Sequence, residues 1–225
     1  MKTKFFALIL FFVLGIGARL RYAQRINLNG VTSIEVDIAC QLILVQGNEP
    51  NMEIVGNEKA VAAIETKIKG GKLIIKSDRQ RQRKEDVVVK IEVANLEYLG
   101  IGGAVDMKTI RTLKFPNFTL NVSGVGNIEM ELVCNNFKLN SSGVTNLNLS
   151  GSANDARMVV SGVGNISASN FAIHNAEVQN SGVGRVRVNA VDRLRANVSG
   201  IGSISYEGDP LVSSNVSGIG RISRN

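Results

Sequence analysis

The sequence predicts an all-β protein. The expected form is a flattened two-sheet parallel β-helix with rungs of about 19 residues, preceded by a β-rich part with one short helix. Three observations carry this. A hexapeptide at 123–128 (SGVGNI) returns at Ser142 (SGVTNL), Ser161 (SGVGNI), Ser181 (SGVGRV), Ser199 (SGIGSI) and Ser217 (SGIGRI), at intervals of 19, 19, 20, 18 and 18 residues. Apolar and polar residues alternate on both sides of each copy, the period of a half-buried strand. The composition has 23 glycines, only 3 prolines and 44% hydrophobic residues, with no tryptophan. That excludes a disordered chain and, without a G-X-Y period, collagen; it fits repeated tight turns in a β protein.

The chain opens with Lys2 and Lys4 before an apolar run at 5–17, then Ala18. A charged start, a short apolar stretch and small residues at the exit match a secretory signal peptide over residues 1–18. At 13 residues the run is short of the roughly 20 that a membrane-spanning helix needs. Removing it takes the formal charge from +7 to +5. Cys40 and Cys134 lie far apart and outside any CxxC or Cys/His pattern, so they read as separate buried residues rather than metal ligands. An oxidising compartment would permit their pairing.

Residues 26–99 read as the β-rich first part. Ile34, Val36 and Ile38 alternate with Glu35 and Asp37, and 42–45 and 52–55 are short strands closed by Gly47-Asn48 and Gly56-Asn57. Residues 58–68 are the one candidate helix, with Asn57 as N-cap and Ala60, Val61 and Ile64 at helical spacing. Gly70-Gly71 turns the chain into a strand at 73–75, and Val87, Val89, Ile91 and Val93 mark another with one wet face. The charged run at 78–86 between them lacks interleaved aromatics and is flanked by acids. It reads as a solvated hairpin loop rather than a nucleic-acid or polysaccharide patch.

Residues 100–225 read as the repeat. Phe118, Leu120 and Val122 precede the first motif, and Ile128, Met130 and Leu132 follow it; later copies repeat the pattern. Each rung is then strand, corner, strand and a short polar second turn such as Ser152-Ala153-Asn154-Asp155. The corners are Ser123-Gly124, Ser142-Gly143, Ser161-Gly162, Ser181-Gly182, Ser199-Gly200 and Ser217-Gly218. Gly126, Gly164, Gly184, Gly202 and Gly220 complete them, with Thr145 standing in once. The first glycine is expected to supply a conformation that a Cβ disfavours, and the Val or Ile between the glycines to point into the core. Asn127, Asn146 and Asn165 face out, and Asn121, Asn140, Asn197 and Asn215 recur before the serines, ready to stack. Residues 102–107 (GGAVDM) look like a degenerate first copy.

These features resemble the bacterial family called "putative auto-transporter adhesin, head GIN domain". The resemblance rests on Val45-Gln46-Gly47, on 70–75 (GGKLII) and above all on the Ser-Gly-Val-Gly rungs. It implies an exported β-helical protein of Bacteroidetes-like bacteria with a role in adhesion, and it carries over no catalytic residue.

Chemistry is thin. A lyase or hydrolase needs converging acids and bases, yet Asp106, Glu129, Glu131, Asp155, Glu177, Asp192, Glu207 and Asp209 are scattered over the rungs. His174 lies in a turn with no partner acid or nucleophile in the sequence pattern. The turns lack the repeated Asp of calcium-binding rolls. No catalytic residue, metal site or cofactor is expected, and no nucleic acid as partner. Arg185, Arg187, Arg193 and Arg195 are the candidate face for an anionic ligand, set against a merely soluble charged exterior. The expected function is a non-enzymatic, exported adhesin or scaffold module of the periplasm, outer membrane or cell surface. Its partner would be a surface glycan or a host or matrix protein, and an open C-terminal rung could join copies of the chain. The alternatives are a carbohydrate-active β-helix enzyme and a ligand-free periplasmic structural protein.

Overall fold

The computed structural model describes residues 22–77 and 87–225. The candidate signal segment at 1–18 and the charged run at 78–86 lie outside the described residues. Among the described residues no helix is long and apolar enough to cross a membrane. The chain is an all-β solenoid of about seven turns at about 19-residue spacing, with one short helix among the described residues.

In chain order the first part comprises β1 (Tyr22–Asn27), β2 (Ser33–Asp37), β3 (Cys40–Gln46), β4 (Asn51–Gly56), α1 (Glu58–Ala62), β5 (Ile64–Lys69), β6 (Lys72–Ser77) and β7 (Val87–Val93). Then come β8 (Tyr98–Ile101), β9 (Ala104–Thr109), β10 (Leu113–Val122), β11 (Val125–Ser141), β12 (Val144–Val160) and β13 (Val163–Asn180). The chain closes with β14 (Val183–Val198), β15 (Ile201–Glu207), β16 (Leu211–Val216) and β17 (Ile219–Arg224).

Two limbs run along the solenoid. One stacks β6, β2, β8 and β10, then the second halves of β11 to β14, then β16, all in parallel. The other stacks β7, β3, β9, the first halves of β11 to β14, then β15 and β17. The parallel stack therefore reaches upstream of residue 100. Its order there departs from chain order: β6 and β7 lie outermost, β2 and β3 next, and β8 and β9 join them to the repeat. Antiparallel β5 on one limb, and β4 then β1 on the other, finish that end.

The core is the set of inward columns that parallel register makes. Leu99, Leu120, Leu139, Met158, Val178 and Ala196 stack on one limb. Ile128, Leu147, Ile166, Val186 and Ile204 stack on the other, and all of these are buried. Each Leu or Ile so placed contributes about 1.5–3 kcal/mol. Where Gly151 leaves a gap in the column of Leu132, the next rung fills it with Phe171, which meets Phe137 edge-on at 5.7 Å.

Several expectations need correction. The helix stops at Ala62, with the Asn57 side chain accepting from the Lys59 amide as the cap. Residues 64–69 are instead β5, because Ile64, Thr66 and Ile68 also alternate as a strand and pair with β6 through the Gly70-Gly71 turn. The second turn of each middle rung is not a break: β11 to β14 run straight through it as strands of 16–18 residues. Two or three successive residues that are not buried, such as Asn135 and Asn136, mark the bend.

The corner works differently from the sequence reading. Val125, Val144, Val163 and Val183 are 47–51% exposed and point outward, and Ile201 and Ile219 join them. Alternation forces this: with Ile128 inward, Gly126 is inward too and Val125 must face out. The first glycine has no left-handed φ at any repeat corner. A Cβ on Gly143 would run into the Gly124 carbonyl one rung back, and Gly162 stands in the same relation to Gly143. Glycine is needed there for close stacking. The corner amides donate to the preceding rung, for example Ser142 N to Val122 O at 2.9 Å and Val144 N to Gly124 O at 2.9 Å.

Candidate functional site

A groove of about 710 Å³ runs over the outer surface of the β10–β16 limb. It crosses successive rungs from Asn117 on β10 to Ser213 on β16. Its walls are two outward columns either side of the buried column that holds Phe118, Phe137, Ala156, Ala176 and Leu194. One wall, at the bend, is Asn117, Asn136, Asp155, Asn175 and Arg193. The other is Thr119, Lys138, Arg157, Glu177 and Arg195.

The bend wall is tied along the solenoid axis. Asn136 Nδ2 donates to Asn117 Oδ1 at 2.7 Å, and Asn175 Nδ2 to Asp155 Oδ1 at 3.1 Å. On the other wall Glu177 pairs with Arg157 one rung back and accepts from Gln179 Nε2 at 3.0 Å. Both carboxylates of the groove are thus engaged, while Lys138, Arg193 and Arg195 give it a cationic balance. Such a surface can hold an elongated anion or a hydroxyl-rich chain; it offers no free acid and base facing each other.

The four candidate arginines do not converge. Arg193 and Arg195 line the groove, whereas Arg185 and Arg187 lie on the other limb, where β14 pairs with β15. The bend of β14, exposed over residues 191–193, separates the two pairs. Lys138 and Arg157 take the other cationic places. Counting back two and three rungs from Arg195 reaches both.

Other chemistry-bearing residues are accounted for. The next rung supplies His174 with an acid: its Nδ1 lies 2.9 Å from Asp192 Oδ2, both side chains over half exposed at the bend. Cys40 and Cys134 are both buried, and burial pushes the Cys134 thiol up to about 12. Among the described residues no three His, Cys, Asp or Glu side chains gather as metal ligands. A second, smaller cleft of about 430 Å³ lies on the same limb near its first rungs, between Glu35, Asp37, Tyr98, Asn121 and Asn140. Asn140 donates to Asn121 at 2.6 Å and Asn121 to the Tyr98 hydroxyl at 3.2 Å. Lys72 donates to Glu35 at 2.7 Å beside it, a hydrogen bond that raises the ammonium's pKa.

The fold has solved counterparts. A protein of Bacteroides fragilis described as a putative adhesin superposes with a TM-score of 0.87 at 25% identity, covering 92% of this chain and 98% of its own. One of Parabacteroides distasonis described as a putative lipid binding protein gives 0.71 at 22% identity, covering 94% and 98%. A putative adhesin of the same species gives 0.65 at 20%, covering 93% and 98%. No curated protein matches the chain. Residues 30–210 match the family described as putative auto-transporter adhesin, head GIN domain, and the chain belongs to that family.

Proposed function

We propose that the protein is an exported, non-enzymatic adhesive module, and that the groove from Asn117 to Ser213 is its binding surface for an acidic polysaccharide. The groove itself is the observation that carries this reading: a long furrow crossing the rungs, with Lys138, Arg193 and Arg195 free of ion-pair partners among the described residues and both acids engaged. Adhesion as the setting is supported by the family and by the B. fragilis neighbour. Export is supported by the charged start and the short apolar run at 5–17.

Heparin, as a probe of acidic polysaccharide, should bind the purified protein, and uncharged dextran should not. The double reversal Arg193→Glu with Arg195→Glu should weaken heparin binding at least about tenfold. Arg185→Glu with Arg187→Glu should leave it within about twofold, because these side chains lie outside the groove. Equal losses from the two pairs would show a diffuse charge effect and sink the assignment of the groove. Recovery of the untagged chain from the cytoplasm, with residues 1–18 still attached, would sink export.

A further inference from the structure

We infer that the outer face of the corner limb is a self-association surface, on which a second copy of this chain packs with its solenoid axis reversed. The face carries an apolar ladder and an uneven charge distribution, and the two fit one symmetry. Val125, Val144, Val163, Val183 and Ile201 stand in register, one per rung, roughly half exposed. No other outward column of the repeat is uniformly aliphatic. Beside it run Asn127, Asn146, Asn165 and Arg185, then Glu129, Asn148, Ser167 and Arg187. The face is thus acidic at the rung of Glu129 and Glu131, neutral over the next two, and basic at the rung of Arg185 and Arg187.

A two-fold axis along the strands, between the rungs of Val144 and Val163, keeps each column opposite its own copy and reverses the order of rungs. Val144 then meets the second copy's Val163, and Val125 meets its Val183. Glu129 comes opposite the second copy's Arg187, with Glu131 and Arg185 on the columns to either side of that pair, and by symmetry the contact is made twice. The uniform rung spacing of about 4.8 Å keeps the two ladders in step. Six overlapping rungs, each about nine residues wide, present roughly 800 Å² per copy, the size of a standard stable interface. The side chains facing each other across the centre, Asn146, Asn148, Asn165 and Ser167, are uncharged, so little is desolvated at a loss. The groove lies on the other limb and stays open.

The test is sedimentation velocity on the purified protein, which should be a reversible dimer at micromolar concentration. Val144→Asp with Val163→Asp should weaken association about 100-fold or more. All these side chains are exposed, so the variants should keep the native circular dichroism. Glu129→Arg with Glu131→Arg should yield a monomer, as should Arg185→Glu with Arg187→Glu. Mixing those two variants should restore a dimer, because both contact sites of the mixed pair then match in charge. A protein that stays monomeric at high concentration overturns the proposal. So does a dimer that none of these substitutions disturbs, or a monomer that instead binds anionic vesicles through the same valines.

Discussion

The two edges of the solenoid turn the chain by different physical means. At the Ser-Gly corner the backbone of one rung sits so close to the last that a Cβ would strike a carbonyl, and the fit is made by glycine. At the bend of the middle rungs β11 to β14 run on unbroken, and side chains add links between rungs: Asn136 on Asn117, Asn154 on Asn135, Asn175 on Asp155. The first edge depends on the absence of atoms in a tight stack of backbones. The second depends on polar atoms that water also contacts. Loss of the first should therefore cost much more than loss of the second.

The largest effect is expected at Gly162. Its Cβ would run into the Gly143 carbonyl, and neighbours above and below leave the backbone no room to withdraw. Gly162→Ala should destabilise by about 3 kcal/mol or more, as backbone overpacking does, read as a lower midpoint in urea at unchanged slope. A cost below about 1 kcal/mol would remove the distinction between the edges.

A middling effect is expected where one corner departs from its own rule. Thr145 occupies the inward place that glycine holds in the other repeat rungs, and it is buried. Its hydroxyl meets Ser141 Oγ at 2.7 Å, and Ser141 in turn replaces the Val of the rungs before and after it. The two exceptions answer each other. Thr145→Val should cost about 1–3 kcal/mol by stranding a buried hydroxyl. Adding Ser141→Val should recover part of that loss, and a double-mutant cycle measures the coupling. Strict additivity would mean the pair is accidental.

These contrasts also show how far the sequence could be read. Rung period, strand alternation and corner positions follow from local spacing, and the structure has all three. The orientation of Val125 is set by parity and not by its hydrophobicity: stepping back by twos from Ile128 lands on Gly126, which leaves Val125 outward. The extent of α1 was ambiguous, since Ile64 and Ile68 satisfy helical spacing while Ile64, Thr66 and Ile68 satisfy a strand. The order of the first rungs was out of reach. That β6 and β7 lie outside β2 and β3 depends on pairing across about 40 residues, and no local pattern encodes it. The groove was half legible: Arg193 and Arg195 were found as a pair, but the bend that parts them from Arg185 and Arg187 falls within a continuous strand.

The smallest effect sharpens the comparison from the other side. Asn136 Nδ2 reaches Asn117 Oδ1 at 2.7 Å, but both residues are exposed, so the bond replaces one that water would make. The net contribution of such a bond is about 0.5–1 kcal/mol. Asn136→Ala should lie within that range, and hydrogen exchange at the Phe137 amide should stay close to wild type, since the parallel ladder there is formed by backbone. The same measurement in Gly162→Ala should show faster exchange in the rungs on both sides. If Asn136→Ala loosened its neighbours as widely, the bend would be a stacked polar spine rather than a wet hinge, and the two edges would share one mechanism.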